Sequence, residues 1–224
     1  MTGMTMNDMV LLSVDDHAIE PPEMFIGRLP ARFKDQVPRV AQYANGDERW
    51  IVEGKAWAGV GSAAVAGRKR EELGDEPSRY GEVRRGCWDV DARIDDMNAN
   101  GTLLSANFPS FPGFSGEKLV HGKDKDLMLA MIRAYNDWHI EDWAGRYPER
   151  LIPMAILPLW ELDLAIAELK RNGPVVGLFD NEPGIVNMAI DTVPDIVSVR
   201  MCRAFAPDPP LLHAKARQIK SFQL

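Results

Sequence analysis

From residue 89 onward the sequence alternates between two hydrophobic periods, and this most constrains its fold. Residues 89–101, DVDARIDDMNANG, carry a helical pattern: Asp89 or Asp91 is placed to cap it, Ile94 and Met97 share a face, and Gly101 ends it. Residues 102–107 predict a buried strand. Residues 124–143 predict a long amphipathic helix with Leu127, Met128, Met131, Ile132, Tyr135, Trp138 and Trp143 as its apolar stripe. A strand over 151–157, a helix over 161–170 and a strand over 174–179 follow. Strands that alternate with helices pair in parallel through right-handed crossovers. The order suits an α/β barrel, in which functional groups stand at the C-terminal ends of strands.

One further strand precedes this series. In VLLSVDDHAIEPP (residues 10–22), Val10, Leu12 and Val14 alternate with Leu11, Ser13 and Asp15, as in a short buried strand. Strict alternation puts Asp15 and His17 on one face and Asp16 on the other. A carboxylate and an imidazole so placed can reach one divalent cation. Pro21 and Pro22 stop the strand and leave Glu20 in the loop above it. The other reading of these residues is an Asp–Asp turn beside a hydrogen-bonded histidine.

Between that strand and residue 89 the chain carries an insertion. Asn45-Gly46-Asp47 predicts the turn of a β-hairpin within residues 39–55. The stretch GVGSAAVAG (59–67) matches a loose dinucleotide fingerprint, but no clean strand precedes it and no acidic strand end follows, so a small-residue loop is expected. Arg68-Lys69-Arg70 is followed at once by Glu71-Glu72 and predicts a solvated, charge-paired face. In FPSFPGFSG (108–116), Phe108, Phe111 and Phe114 predict either a pocket wall or loop packing. Ser115 lacks a nucleophile elbow. His139 is expected to pack or hydrogen-bond, and His121 and His213 are not assigned as ligands.

With a net charge of −7 over 224 residues, the chain is not expected to bind nucleic acid electrostatically. Cys87 and Cys202 form no zinc cluster or disulfide framework, which fits a reducing cytosol. No apolar run predicts a membrane span.

Taken as a set and in this order, VDDHAIEPP, RGCWDVDARIDDMNANG, LLSANFPSFPGFSG, RAYNDWHIEDW and RLIPMAILPLW resemble the amidohydrolase-related branch of the amidohydrolase superfamily. That branch includes aminocarboxymuconate-semialdehyde decarboxylase-like and resorcylate decarboxylase-like enzymes. The resemblance covers residues 8–172. It implies a TIM-like (β/α)₈ barrel with one divalent metal, zinc or manganese, and hydrolysis or decarboxylation of a small, possibly aromatic, carboxylic acid. The family's acid-x-His metal motif falls on Asp15 and His17, and a common family glutamate falls on Glu20, which the resemblance adds to the expected metal ligands. Phe108, Phe111 and Phe114 would bound the substrate.

The family's remaining ligands come from later strands, and the resemblance stops near Asn172. The expected organisation is therefore a partial barrel over 1–172 and a divergent, frameshifted tail over 173–224. About four of the eight barrel strands would be present, with open edges and an uncovered face. Such a chain is expected to be aggregation-prone or to pair with another chain, including as a homo-oligomer. A catalytically inactive fragment and a small-molecule-binding module are the alternative readings.

Overall fold

A computed structural model describes residues 10–61, 64, 69, 71, 77–113 and 115–173, and the backbone of 176–179 and 197–200. The fold is mixed α/β. Strand β1 (Leu11–His17) is followed by the insertion, an antiparallel meander of β2 (Arg39–Gln42), β3 (Glu48–Val52) and β4 (Lys55–Gly59). Then come α1 (Val90–Asn100), β5 (Thr102–Phe108), α2 (Lys125–Trp138), β6 (Leu151–Ile152), β7 (Met154–Ala155), α3 (Leu162–Asn172), β8 (Val176–Phe179) and β9 (Val197–Arg200). Two parallel sheets result, ordered β1-β5-β6 and β7-β8-β9.

The helices begin and end on local chemistry. Asp89 accepts from the backbone N–H of Ala92 at 2.9 Å, and Gly101 closes α1 in the left-handed region at φ 69°. Asp124 caps α2 through the N–H groups of Asp126 and Leu127, both at 3.0 Å. A π-helical turn, His139–Trp143, continues α2, so the apolar stripe extends to Trp143 as expected. All seven stripe residues are buried. They pack with Leu151 and Met154 into one core that also takes Trp50 and Val52 from the meander. Helix α3 docks on α2 through Glu168, fully buried, whose carboxylate accepts from Asn136 at 2.8 Å and from Arg171 at 2.6 Å. Burial works against its ionisation, but Arg171 and Asn136 outweigh it and hold Glu168 below the usual carboxylate range.

Several expectations are corrected. The expected single strand over 151–157 is two short ones, broken at Pro153, which has no N–H to give to a ladder. The break also changes partners: β6 pairs with β5 and β7 with β8. The hairpin has a third strand, β4, reached through Glu53-Gly54, both at positive φ (49° and 72°). That turn suits a two-residue hairpin but lacks the usual Asn-Gly signature. Glu53 is held there because its carboxylate accepts from the N–H groups of Lys123 (3.1 Å) and Asp124 (2.9 Å). The strand expected over 102–107 is observed, the one expected over 174–179 is described over Val176–Phe179, and β9 pairs in parallel with it.

The largest correction concerns β1, which is a strand but not a buried one. Leu11, Leu12 and Val14 are 53%, 51% and 68% exposed, and Leu103 on the neighbouring strand is 52% exposed. Among the described residues β1 has one strand neighbour, β5, and lies at the edge of its sheet. Alternating apolar residues suit a strand at an edge as well as one in the middle. The number of neighbours is a long-range property that periodicity does not report.

Candidate metal centre

The expected ligands stand at the C-terminal end of β1, where a bulge interrupts the pairing with β5. Ser13 pairs with Ser105 and Asp16 with Asn107, so Val14 and Asp15 together oppose Ala106. Ser105 and Asn107, two residues apart, lie on one face of β5, and the bulge brings Asp16 onto that face. His17 pairs with Phe108 on the other, with ring centroids 6.0 Å apart. Asp16 and His17 therefore face apart, as expected, but Asp15 is set by the bulge and not by simple alternation. It is exposed.

The His17 ring is half-buried, with Nδ1 3.3 Å from the carbonyl oxygen of Pro109. In the tautomer that donates from Nδ1, the ring's basic lone pair is on Nε2. A carbonyl behind a metal-binding histidine fixes the tautomer and ring orientation in this way. The His17 carbonyl accepts from the Arg93 guanidinium at 2.5 Å, which ties α1 to the end of β1.

Glu20 is buried, and its two oxygens accept from the backbone N–H groups of Ser110 (2.9 Å) and Phe111 (2.8 Å). Burial pushes its carboxyl up to about 7, against the pull of those amides and of Lys118. In this geometry Glu20 holds the loop after β5 in place. The side-chain hydroxyl of Ser110 donates to the Ala18 carbonyl at 2.9 Å and adds a second tie.

Phe108 and Phe111 are 1% and 2% exposed. Phe111 lies 4.6 Å from Trp50 and 5.8 Å from Phe25, centroid to centroid, so its ring belongs to the core. Phe114 lies outside the described residues, as do most of 59–76, the basic run at 68–70 apart from Lys69, and His213.

A polar chain behind the site was not foreseen as a unit. The Ser105 hydroxyl donates to Asp16 at 2.5 Å and accepts from Asn107 at 2.9 Å; Trp143 Nε1 donates to Asn107 Oδ1 at 2.8 Å. His139, fully buried, places Nε2 3.1 Å from the Asn107 carbonyl, and its Nδ1 accepts from the Met154 N–H at 3.3 Å. A backbone acceptor on one nitrogen and a backbone donor on the other require the neutral imidazole. Burial lowers its pKa to about 4. The expectation that His139 packs and hydrogen-bonds is met. The signal for the remainder lay in polar residues at alternate positions of an otherwise apolar strand, Ser105 and Asn107.

The chain is similar in structure to an amidohydrolase from Mycobacterium avium subsp. paratuberculosis K-10, with a TM-score of 0.54 and 20% sequence identity over 82% of this chain. The fold is amidohydrolase-like. This supports a TIM-barrel-like arrangement of the parallel strands. The chain spans about half of that neighbour, 55% of its length. No protein-family model matches the sequence.

Asp15 and His17 are of the donor types that zinc or manganese takes. They supply two donors. Among the described residues no group of three or more His, Cys, Asp or Glu side chains is placed to hold a metal ion. Two donors of these types do not by themselves close a metal site. Also among the described residues, no helix is long and apolar enough to cross a membrane.

Proposed function

We propose that this chain is a metal-dependent hydrolase-type domain of the amidohydrolase superfamily, related to its decarboxylase-containing branch. Asp15 and His17 supply the first-strand ligands for zinc or manganese. The substrate is a small carboxylic acid, hydrolysed or decarboxylated at the strand ends. The observation that carries this reading is the bulge at Val14–Asp15 beside a histidine whose Nδ1 faces the Pro109 carbonyl. Bulges re-aim side chains next to active sites, and barrel sites lie at this end of the strands. The fold likeness and the ordered motifs support the same reading.

A bound divalent ion would supply a Lewis acid for a carbonyl or carboxylate, or an activated water. The chain's own residues prepare its place. Asp15 and His17 hold the ion, Arg93 braces the backbone of His17, and Glu20 fixes the loop that carries the Pro109 carbonyl. Among the described residues no further His, Cys, Asp or Glu completes the set.

A second reading, a domain that binds but does not turn over, is favoured by one observation: the described residues present two donors where catalytic sites use three or more. An assay of the zinc- and manganese-loaded full chain against a panel of amides, esters and aromatic acids separates the two. Hydrolysis or carbon dioxide release that falls at least about a hundredfold in Asp15→Ala and His17→Ala supports the enzyme. Turnover that survives both substitutions contradicts it, and metal uptake without turnover supports the second reading.

A further inference from the structure

The insertion and the segment after the β5 loop border an open surface pocket of about 350 Å³ whose lining suits an anion. Its wall carries Lys55 and Trp57 of β4, Lys118 and His121 of the 3₁₀ segment Glu117–His121, Lys123, and Glu53. The volume lies near the lower end of small-molecule sites, roughly 300–1,000 Å³.

Its charge runs against that of the molecule. The chain carries a net charge of −7, yet three lysines and one histidine meet here against a single carboxylate. That carboxylate, Glu53, is committed to the backbone N–H groups of Lys123 and Asp124. Among the described residues none of the three ammonium groups takes part in a salt bridge, while arginines elsewhere are paired with acids. Lys118 also lies within the field of the buried Glu20, which leaves Lys55 and Lys123 as the less committed cations. Trp57 lines the pocket and lies 6.2 Å from Phe111, so it offers a braced aromatic wall.

We propose that this pocket binds a small organic polyanion, its multivalent oxyanion group among Lys55, Lys118 and Lys123 and a flat body against Trp57. Cations that outnumber the acids around them repel one another, and a multivalent anion relieves that repulsion. Nucleic acid is not the occupant, because the acidic remainder of the molecule would repel a long polyanion. Neither Asp15 nor His17 lines this pocket, and the proposal needs no metal.

Calorimetric titration of the metal-stripped full chain with phenyl phosphate, inorganic phosphate, citrate and phenol tests this. Phenyl phosphate should bind about tenfold or more tightly than inorganic phosphate, and phenol should not compete. Citrate binding more tightly than phenyl phosphate supports the site and assigns it to polycarboxylates; the reverse order assigns it to phosphate esters. The K55A/K123A double variant alters exposed side chains and should lose about tenfold or more in affinity, and K55R/K123R should retain it. Unchanged binding in K55A/K123A, or phenol binding as well as phenyl phosphate, would overturn the proposal. So would the absence of binding by every anion at about 10 mM, a concentration that exceeds even millimolar dissociation constants.

Discussion

Strands β1 and β5 are paired neighbours in one sheet, yet they live in opposite environments. The last four residues of β5, from Ser105 to Phe108, are buried under α2 and its π-helical turn. Strand β1 keeps no buried residue along its length, and three of its apolar side chains are more than half exposed. The first four residues of each include two or three apolar side chains, but β1 ends in Asp15, Asp16 and His17 where β5 ends in Ala106, Asn107 and Phe108. Strand β5 lies between two strands and carries the Asn107 contacts to His139 and Trp143, whereas β1 lies at an edge among the described residues. The stable half of the sheet is therefore β5, and the candidate ligands stand on the half that is weakly held. What anchors the ligand end of β1 is polar: Arg93 on the His17 carbonyl, Ser105 on Asp16, and the Glu20 tie to the loop.

The largest test of this contrast is truncation. Phe108→Ala on β5 should cost about 3–5 kcal/mol in urea unfolding, as for other buried phenylalanines. Val14→Thr on β1 should stay within about 0.5 kcal/mol, because little of that side chain is removed from water. Comparable losses at both positions would show that β1 is covered and break the comparison.

The next test is the pH dependence of two buried groups on either side of that boundary. Glu20 is raised from 4.5 to about 7, so the folded state holds its proton more tightly than the unfolded chain. Its share of stability is full below pH 4.5 and is lost as pH rises through about 7. His139 is lowered from 6.5 to about 4; its share is full above pH 6.5 and is lost as pH falls through about 4. Each amounts to about 3 kcal/mol, and over pH 4.5–6.5 the two oppose. Wild-type stability should therefore change little there on their account. Glu20→Gln should expose the rise with pH that belongs to His139, and His139→Gln the fall that belongs to Glu20. Parallel pH profiles for the two variants would contradict the assignment. Glu20→Gln should also cost about 1–3 kcal/mol, since one of the Ser110 and Phe111 amides loses its acceptor.

Helix ends and faces were legible in the sequence because they rest on local chemistry: the Asp89 cap, Gly101, the helix start at Asp124, and the stripe from Leu127 to Trp143. The alternation of strands and helices likewise carried through to parallel pairing. Relations between strands were not legible. The bulge at Val14–Asp15 exists only relative to Ala106, and the exposure of β1 follows from how many strands flank it. Pro153 was visible, but its division of one strand between two sheets depends on where β8 lies. Glu53 gave no turn signal because its positive φ is held by residues seventy positions away in sequence. Asp15 and His17 were singled out by spacing, while the roles of Arg93, Asp16, Ser105 and Asn107, which hold their surroundings, were missed because their partners are distant in sequence.

The central claim is that the end of β1 is a place for a divalent metal. Elemental analysis of the purified full chain after incubation with zinc or manganese and gel filtration tests it most directly. The account predicts metal retained in stoichiometric proportion by the wild type, and retention lost in both Asp15→Ala and His17→Ala. A metal-free wild type, or metal retained equally by the two variants, would contradict it.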